Sequence, residues 1–186
     1  VVIDRRIERS HLILDGEDRS IALSYTGPQL CNDTEDGDRI QIQGNNNIVR
    51  NLIIINFPDG IHSQEGLNNI FENITWPVIC EDAFTNCGTD QEAFGTILRG
   101  CYFTGGNDKA VQINTGGSIQ VINCEFVDTK QPIKVIGGLP AVNIISNCQF
   151  SGSNSTGPLF KPEGAVLGGP VTIFENSIIE QTDVEF

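Results

Sequence analysis

The stretch from Asn107 to Asn114 places an acid beside a lysine, Asp108 and Lys109, at the start of a short strand that alternates apolar and polar side chains. Earlier segments hold further acids in the same frame: Asp59, Glu81 and Asp82. Carboxylates bind cations such as Ca²⁺, and a lysine supplies a positive charge or, once deprotonated, a base. The stretch therefore predicts a cation site with a lysine beside it. The alternative is a solvated turn.

Several segments of the chain can be aligned on one apolar residue that is predicted to face inward. These apolar residues are Ile61, Ala83, Ala110, Ile133 and Leu159. Two positions earlier the chain has the acids Asp59, Glu81 and Asp108, and one position earlier it has Asp82 and Lys109. One position after the apolar residue stand His62, Phe84, Val111, Lys134 and Phe160. Because strand side chains alternate between faces, Asp82, Lys109 and Lys134 are expected to share one outer surface.

The aligned acids predict the metal that such a surface would bind. Asp59, Glu81 and Asp108 would stack in consecutive coils about 5 Å apart, where like charges destabilise each other unless a cation intervenes. With Asp82 beside them they form an oxygen-rich group suited to Ca²⁺. The competing interpretation is that these acids cap turns and stay solvated.

All four lysines of the chain fall in or near these segments: Lys109, Lys130, Lys134 and Lys161. In an acidic protein they predict a local positive patch beside the metal. Lysines that discourage sheet aggregation or pair with nearby acids are the alternative. His62 is a further candidate for lining the site, although lone histidines are more often surface residues.

An internal repeat predicts the fold. Six segments share an apolar pair that is followed, in five of them after one polar residue, by Asn or Gly at positions 51, 73, 100, 123, 147 and 176, which lie 22, 27, 23, 24 and 29 residues apart. A repeat of this length with short Ile- and Val-rich pieces is typical of a parallel β-helix, in which coils about 4.8 Å apart bury one continuous core. We expect an all-β solenoid of about seven to eight coils, with Asn in left-handed bends.

Composition limits the class of protein. The 186 residues are expected to form one domain over residues 1–186, and 24 acids against 11 bases give a net charge of −13. This charge argues against nucleic acid and anionic membranes as partners. No apolar run approaches the roughly 20 residues needed to span a bilayer. We therefore expect a soluble protein.

Cysteines and glycosylation sequons indicate where the protein works. Six cysteines show no CxxC pair, which argues against structural zinc. Sequons stand at Asn32, Asn73 and Asn154, and with the even cysteine count they favour a secreted glycoprotein. Cys101, Cys124 and Cys148 each follow the repeated Asn or Gly position and form a column, as free thiols or with one disulfide. Because the chain starts at Val1, we interpret it as a processed or trimmed form.

Three runs of residues resemble the small extracellular pectate lyases of polysaccharide lyase family 3. They are residues 59–62 (DGIH), 76–83 (WPVICEDA) and 108–112 (DKAVQ), the last followed by Asn114 and a Gly-Gly pair. The resemblance covers roughly residues 45–138. It implies a right-handed, pectin-lyase-like parallel β-helix of one domain, which cleaves de-esterified polygalacturonate by β-elimination and requires Ca²⁺.

The resemblance also implies residue roles. It places Asp59, Glu81 and Asp82 at the calcium ligands of the family and Lys109 at a substrate-binding or catalytic lysine. An ungapped comparison places Lys134 where the family has the arginine taken as the proton-abstracting base. The cysteine-containing stretch that follows this arginine in the family is replaced here by residues 135–138 (VIGG).

Lysine can still act as the base. Arginine keeps its proton to a pKa above about 12, whereas lysine loses its proton more easily near another cation. The expected activity is a slow lyase favoured by alkaline pH, with Lys134 removing the C5 proton of a galacturonate.

A second interpretation belongs to another class of protein. A β-helix without the arginine could be a non-cutting structural subunit that stacks end to end in a filament or surface layer, or a polysaccharide-binding module. The chain begins directly with the strand-like residues 1–3 and ends soon after the last coil, so both ends are expected to be open to stacking. Under the lyase interpretation the protein is expected to be a monomer.

Overall fold

The structure is a computed structural model. It describes residues 6–19, 21–24, 40–79, 81–87, 93–106, 108–114, 117–136, 141–152, 160–163 and 171–180. Within these ranges the chain forms 21 strands and no helix. Accordingly, the search of the same ranges for a helix long and apolar enough to cross a membrane finds none.

The strands form three seven-stranded sheets, and each sheet takes every third strand. The first sheet holds β1 (Arg6–Ile7), β4 (Ile40–Ile42), β7 (Ile61–Gln64), β10 (Phe84–Cys87), β13 (Lys109–Ile113), β16 (Gln131–Ile136) and β19 (Phe160–Glu163). The second holds β2 (Ile13–Asp15), β5 (Ile48–Arg50), β8 (Ile70–Glu72), β11 (Ala93–Arg99), β14 (Gly117–Ile122), β17 (Val142–Ser146) and β20 (Val171–Glu175). The third holds β3 (Ile21–Ser24), β6 (Leu52–Ile55), β9 (Thr75–Trp76), β12 (Tyr102–Thr104), β15 (Glu125–Val127), β18 (Gln149–Ser151) and β21 (Ile178–Ile179).

Neighbouring strands in all three sheets pair in parallel, so each turn of the chain stacks on the turn before it. The second sheet shows the result, because one apolar residue from each strand falls in a single column: Leu14, Val49, Phe71, Leu98, Val121, Ile145 and Phe174. No coil could bury this side by itself, but stacked coils do. The predicted all-β parallel β-helix is confirmed. The described residues give seven strands in each sheet, where the sequence predicted about seven to eight coils.

The repeated Asn or Gly position forms the bend between the second and third sheets. All six predicted residues have left-handed backbone angles, with φ between 48° at Asn176 and 60° at Gly100. Asn and Gly tolerate this conformation better than other residues. The spacing of the repeat therefore identified a real bend in six consecutive coils.

At Asn73 this bend competes with one predicted glycan. Asn73 Nδ2 donates a hydrogen bond to Asn51 Oδ1 at 2.5 Å, and its Oδ1 accepts one from Arg19. A sugar on Nδ2 would have to share this half-buried amide with its hydrogen bonds to Asn51 and Arg19. The hydrogen bonds thus argue against a glycan at Asn73. The sequons at Asn32 and Asn154 lie outside the described residues.

Inside the third sheet an aromatic column runs along the axis. Trp76, Phe103, Phe126 and Phe150 stack with ring centroids 4.7, 4.9 and 4.7 Å apart and nearly parallel planes. The spacing matches that of neighbouring strands. Each ring is at most 1% exposed, so these side chains belong to the core.

A column of cysteines precedes this sheet, as the sequence predicted. Cys101, Cys124 and Cys148 are buried free thiols whose sulfurs donate to backbone carbonyl oxygens, for example Cys124 Sγ to Ile122 O at 3.4 Å. Cys87 also carries a thiol, so among the described cysteines the thiol alternative is found and the disulfide alternative is not. Cys31 and Cys80 lie outside the described residues.

Candidate active site on the first sheet

The register of the first sheet corrects the alignment made from sequence. Ile61 pairs with Phe84, Phe84 with Val111 and Val111 with Ile133. The prediction had matched Ile61 and Ile133 with Ala83 and Ala110, which is wrong by one residue. Ala83 and Ala110 are also buried, at 3% and 0% exposure, so apolar character alone could not select the register. Leu159 lies outside the described residues.

The corrected register puts the charged residues in a different order. Two positions before the column of Ile61 and Phe84 stand Asp59, Asp82, Lys109 and Gln131, and the pairing of Lys109 with Gln131 is part of the sheet. Backbone hydrogen bonds from Gly60 N to Asp82 O (2.8 Å) and from Ala83 N to Lys109 O (3.1 Å) continue this register toward Asp59. Asp59, Asp82 and Lys109 therefore follow one another along the coils. Glu81 and Asp108 lie one position earlier.

Lys109 is the centre of the charged group. Its Nζ lies 2.8 Å from Asp82 Oδ1 and 2.8 Å from Asp108 Oδ2. The side chains of Lys109 and Asp82 are only 11% and 8% exposed, whereas that of Asp108 is 37% exposed. The predicted outer surface is therefore wrong for Asp82 and Lys109, because both are buried and neutralise each other. Buried charges require such partners.

These ion pairs give Lys109 a defined pH dependence. Burial by itself lowers the pKa of Lys109, but hydrogen bonds to Asp108 and Asp82 outweigh it and raise the pKa to about 12 from 10.5. Lys109 is therefore an ammonium at neutral pH and is not a base there.

We expect this ammonium to stabilise the folded chain below pH 10.5 and the stabilisation to be lost as the pH rises toward about 12, because the pKa is higher in the folded state than in the unfolded state. Urea unfolding midpoints measured from pH 9 to 12 should show this fall in the wild type and a flatter profile in Lys109→Met. The variant Lys130→Met, which removes an exposed lysine, should keep the wild-type fall. Equal slopes in wild type and Lys109→Met would contradict the assignment.

Two further side chains support the acids. His62 Nε2 lies 3.5 Å from Asp59 Oδ2, and the histidine is 9% exposed. Thr85 Oγ1 donates a hydrogen bond to Asp82 Oδ2 at 3.3 Å. Asp82 thus receives a hydroxyl on one oxygen and Lys109 on the other. His62, predicted to line the site, lies within it.

The other two candidate lysines occupy different places. Lys134 pairs with Gln112 and with Lys161 on the sheet, three residues beyond Gln131, the neighbour of Lys109. This offset is about 10 Å along a strand at about 3.3 Å per residue. Lys130 is exposed and directly precedes Gln131, so the register carries it to the level of Asp108. Lys130 therefore lies nearer than Lys134 to the acids along the strand.

The donor set suits a hard cation. Burial, and after it the negative charges of Asp59 and Asp82, raises the pKa of Glu81. Four carboxylates, of Asp59, Glu81, Asp82 and Asp108, face a single buried ammonium, so negative charge is in excess, and carboxylate oxygens are the ligands that Ca²⁺ prefers. Among the described residues, however, no three Asp, Glu, His or Cys side chains are gathered as a ready metal site. The chemistry of the ligands fits Ca²⁺, and two of the four carboxylates, those of Asp82 and Asp108, are paired with Lys109.

Two residues of the site were missed from sequence. Thr85 contacts Asp82, and Gln131, buried at 8% exposure, lies beside Lys109 in the sheet. Both residues could have been found only from the correct register of the first sheet. With the column read one residue later at Phe84 and Val111, Gln131 falls opposite Lys109.

The fold and the sequence comparisons together identify the class of protein. The chain is a parallel β-helix whose first sheet carries a buried acid–lysine pair, Asp82 and Lys109. A model of the pectate lyase family matches residues 15–155, so the chain belongs to the pectate lyase family. Two relatives named "Probable pectate lyase E", from Aspergillus flavus and Aspergillus oryzae, are each 39% identical over 84 residues. These matches cover 45% of this chain and 31% of each relative, so the chain matches about a third of the length of these curated relatives.

Proposed function

We propose that this protein is a secreted, calcium-dependent pectate lyase that cleaves de-esterified polygalacturonate by β-elimination. The observation that carries the proposal is the Asp82–Lys109–Asp108 group, with Asp82 and Lys109 buried, on the first sheet of a member of the pectate lyase family. The acids are the proposed ligands of Ca²⁺: Asp59, Glu81, Asp82 and Asp108. Bound Ca²⁺ would stabilise the negative charge that develops on the substrate carboxylate.

The reaction requires two groups of the chain itself, a base and a positive group. A base removes the proton at C5 of a galacturonate, the C4–O bond to the neighbouring sugar breaks, the departing oxygen takes a proton from solvent, and a double bond forms between C4 and C5. A positive group must hold the substrate carboxylate. Lys109 is suited to that role, because its pKa of about 12 keeps it charged. A carboxylate of the substrate can replace one of the carboxylates that hold Lys109.

Lys134 is the proposed base, with Lys130 as the alternative and otherwise a substrate-binding lysine. Lys134 is half-buried on β16, in the column that also holds His62. The position of Lys130 along the strand, next to that of Asp108, favours Lys130 as the base. The two differ in position along the strand, so single substitutions can separate them.

We expect the protein to release an ultraviolet-absorbing unsaturated product from polygalacturonate when Ca²⁺ is present and none when a chelator is added. Lys134→Ala should slow this reaction at least about 100-fold, since a general base contributes about 10²–10⁴-fold. Lys130→Ala should mainly raise KM, and Gln120→Ala, an exposed residue of the second sheet, should change neither value. If Lys130→Ala abolishes the product and Lys134→Ala does not, Lys130 is the base. If the wild type forms no product, the protein is not a lyase, and binding of polygalacturonate then tests the non-cutting alternative.

A further inference from the structure

Lys109 already binds two of the carboxylates that a calcium ion would need. Its ammonium is 2.8 Å from an oxygen of Asp82 and 2.8 Å from an oxygen of Asp108. The contact with Asp82 is shielded, because the lysine side chain is 11% and that of Asp82 8% exposed, whereas Asp108 is 37% exposed. The pair of Lys109 and Asp82 is therefore stronger than a surface ion pair and costly to break without a replacement.

A calcium ion and the ammonium cannot share these oxygens without strong repulsion. Calcium lies about 2.3–2.6 Å from its oxygen ligands. An ion bound to Asp82 Oδ1 would therefore lie within about 5 Å of a Lys109 nitrogen still held at that oxygen. Like charges at this separation in a buried site destabilise each other. Each cation therefore weakens the binding of the other at these carboxylates.

We propose that Lys109 competes with Ca²⁺ for Asp82 and Asp108, and that this competition sets the calcium affinity and couples it to the binding of the uronate substrate. The inference rests on the proposed function, because it assumes that these acids bind Ca²⁺. When the cation takes the two carboxylates, the ammonium loses its partners inside a buried pocket. A substrate carboxylate is then the anion that can satisfy it.

The coupling has a thermodynamic consequence. If substrate stabilises the displaced lysine, substrate and Ca²⁺ each raise the affinity of the protein for the other by the same factor. Without substrate the lysine holds the calcium affinity down. The proposed site would therefore bind Ca²⁺ fully only when an acidic sugar is present.

The test is calorimetric titration of Ca²⁺ into the wild type and into Lys109→Met. The variant removes the competitor, so it should bind Ca²⁺ about 10-fold more tightly, within the range common for coupled sites. Lys109→Arg keeps the charge and should not bind more tightly than the wild type. Arg99→Met removes one positive charge from the second sheet, where Arg99 pairs with Glu72, and should leave the affinity within about threefold.

A trigalacturonate supplies the second arm of the test. It should tighten Ca²⁺ binding to the wild type severalfold and have a much smaller effect on Lys109→Met. Equal or weaker Ca²⁺ binding by Lys109→Met, with a wild type that binds, would overturn the competition and leave the calcium site intact. If neither protein binds Ca²⁺, the calcium site of the proposed function fails and the competition fails with it.

A measurement on the wild type covers the case in which Lys109→Met does not fold. In ¹⁵N-labelled protein, the lysine ammonium held by two carboxylates should give a slowly exchanging side-chain signal, because its hydrogens are shielded and bonded. Saturating Ca²⁺ should remove or strongly shift this signal. A signal unchanged at Ca²⁺ concentrations that calorimetry shows to be saturating would overturn the inference.

Discussion

Replacing Asp82 by asparagine is expected to abolish calcium binding and to lower the rate of product formation from polygalacturonate at least about 100-fold, as is typical when a charge-stabilising group is lost. Asp82 accepts hydrogen bonds from both Lys109 and Thr85, and asparagine keeps the size of the side chain while removing its charge. Calorimetry with Ca²⁺ and the ultraviolet assay measure the two effects separately.

The same substitution should destabilise the fold. Removing one partner of a buried ion pair costs about 3–5 kcal/mol, and we expect a value of about 3 kcal/mol because Asp108 still contacts Lys109. Asp15→Asn, which removes a carboxylate paired with Arg50 near the surface of the second sheet, is the control and should leave calcium binding unchanged. Wild-type calcium affinity in Asp82→Asn would remove Asp82 from the ligand set.

The second large effect concerns the core. Phe103→Ala should lower the free energy of unfolding by about 3–5 kcal/mol, because it deletes a fully buried ring and leaves a cavity. Phe103 lies between Trp76 and Phe126, with centroid distances of 4.7 and 4.9 Å, so both neighbours lose a stacking partner. Urea unfolding followed by tryptophan fluorescence reports on this column directly, since Trp76 is the only tryptophan.

Phe94→Ala is the matched control for the core substitution. Phe94 lies on β11 and is 37% exposed, so its removal should cost less than about 1 kcal/mol. A Phe103 variant that is destabilised no more than the Phe94 variant would show that the aromatic column does not stabilise the coil.

The fold was accessible from sequence because the repeat is enforced at every coil. A left-handed bend admits few residues, so Asn or Gly recurs at positions such as 51, 100 and 147 and marks the length of each turn. The column of Cys101, Cys124 and Cys148 follows from the same bend. These features depend on local backbone geometry and could therefore be read without knowing the contacts.

The residue types of the site could be predicted from the sequence, but the register of the strands that carry them could not. Ala83 and Phe84 are both buried and adjacent, so either could have been the inward residue. A shift of one residue changes which charge lies beside which in a sheet. For this reason the sequence placed Asp82 and Lys109 on an outer surface near Lys134, whereas they form a buried pair about three strand positions away from it.

The three stacked thiols make the core of this protein open to chemical measurement. Burial is the main cause that raises the pKa of Cys124, and Cys101 and Cys148 are as deeply buried, at 2% exposure. An alkylating reagent needs both access and a thiolate, so each sulfur should react only while its coil is open. Because the thiols belong to consecutive coils, mass spectrometry of partly alkylated protein would rank the coils by how often they open. The alkylation of these three cysteines would thus report how often each coil of the solenoid opens locally.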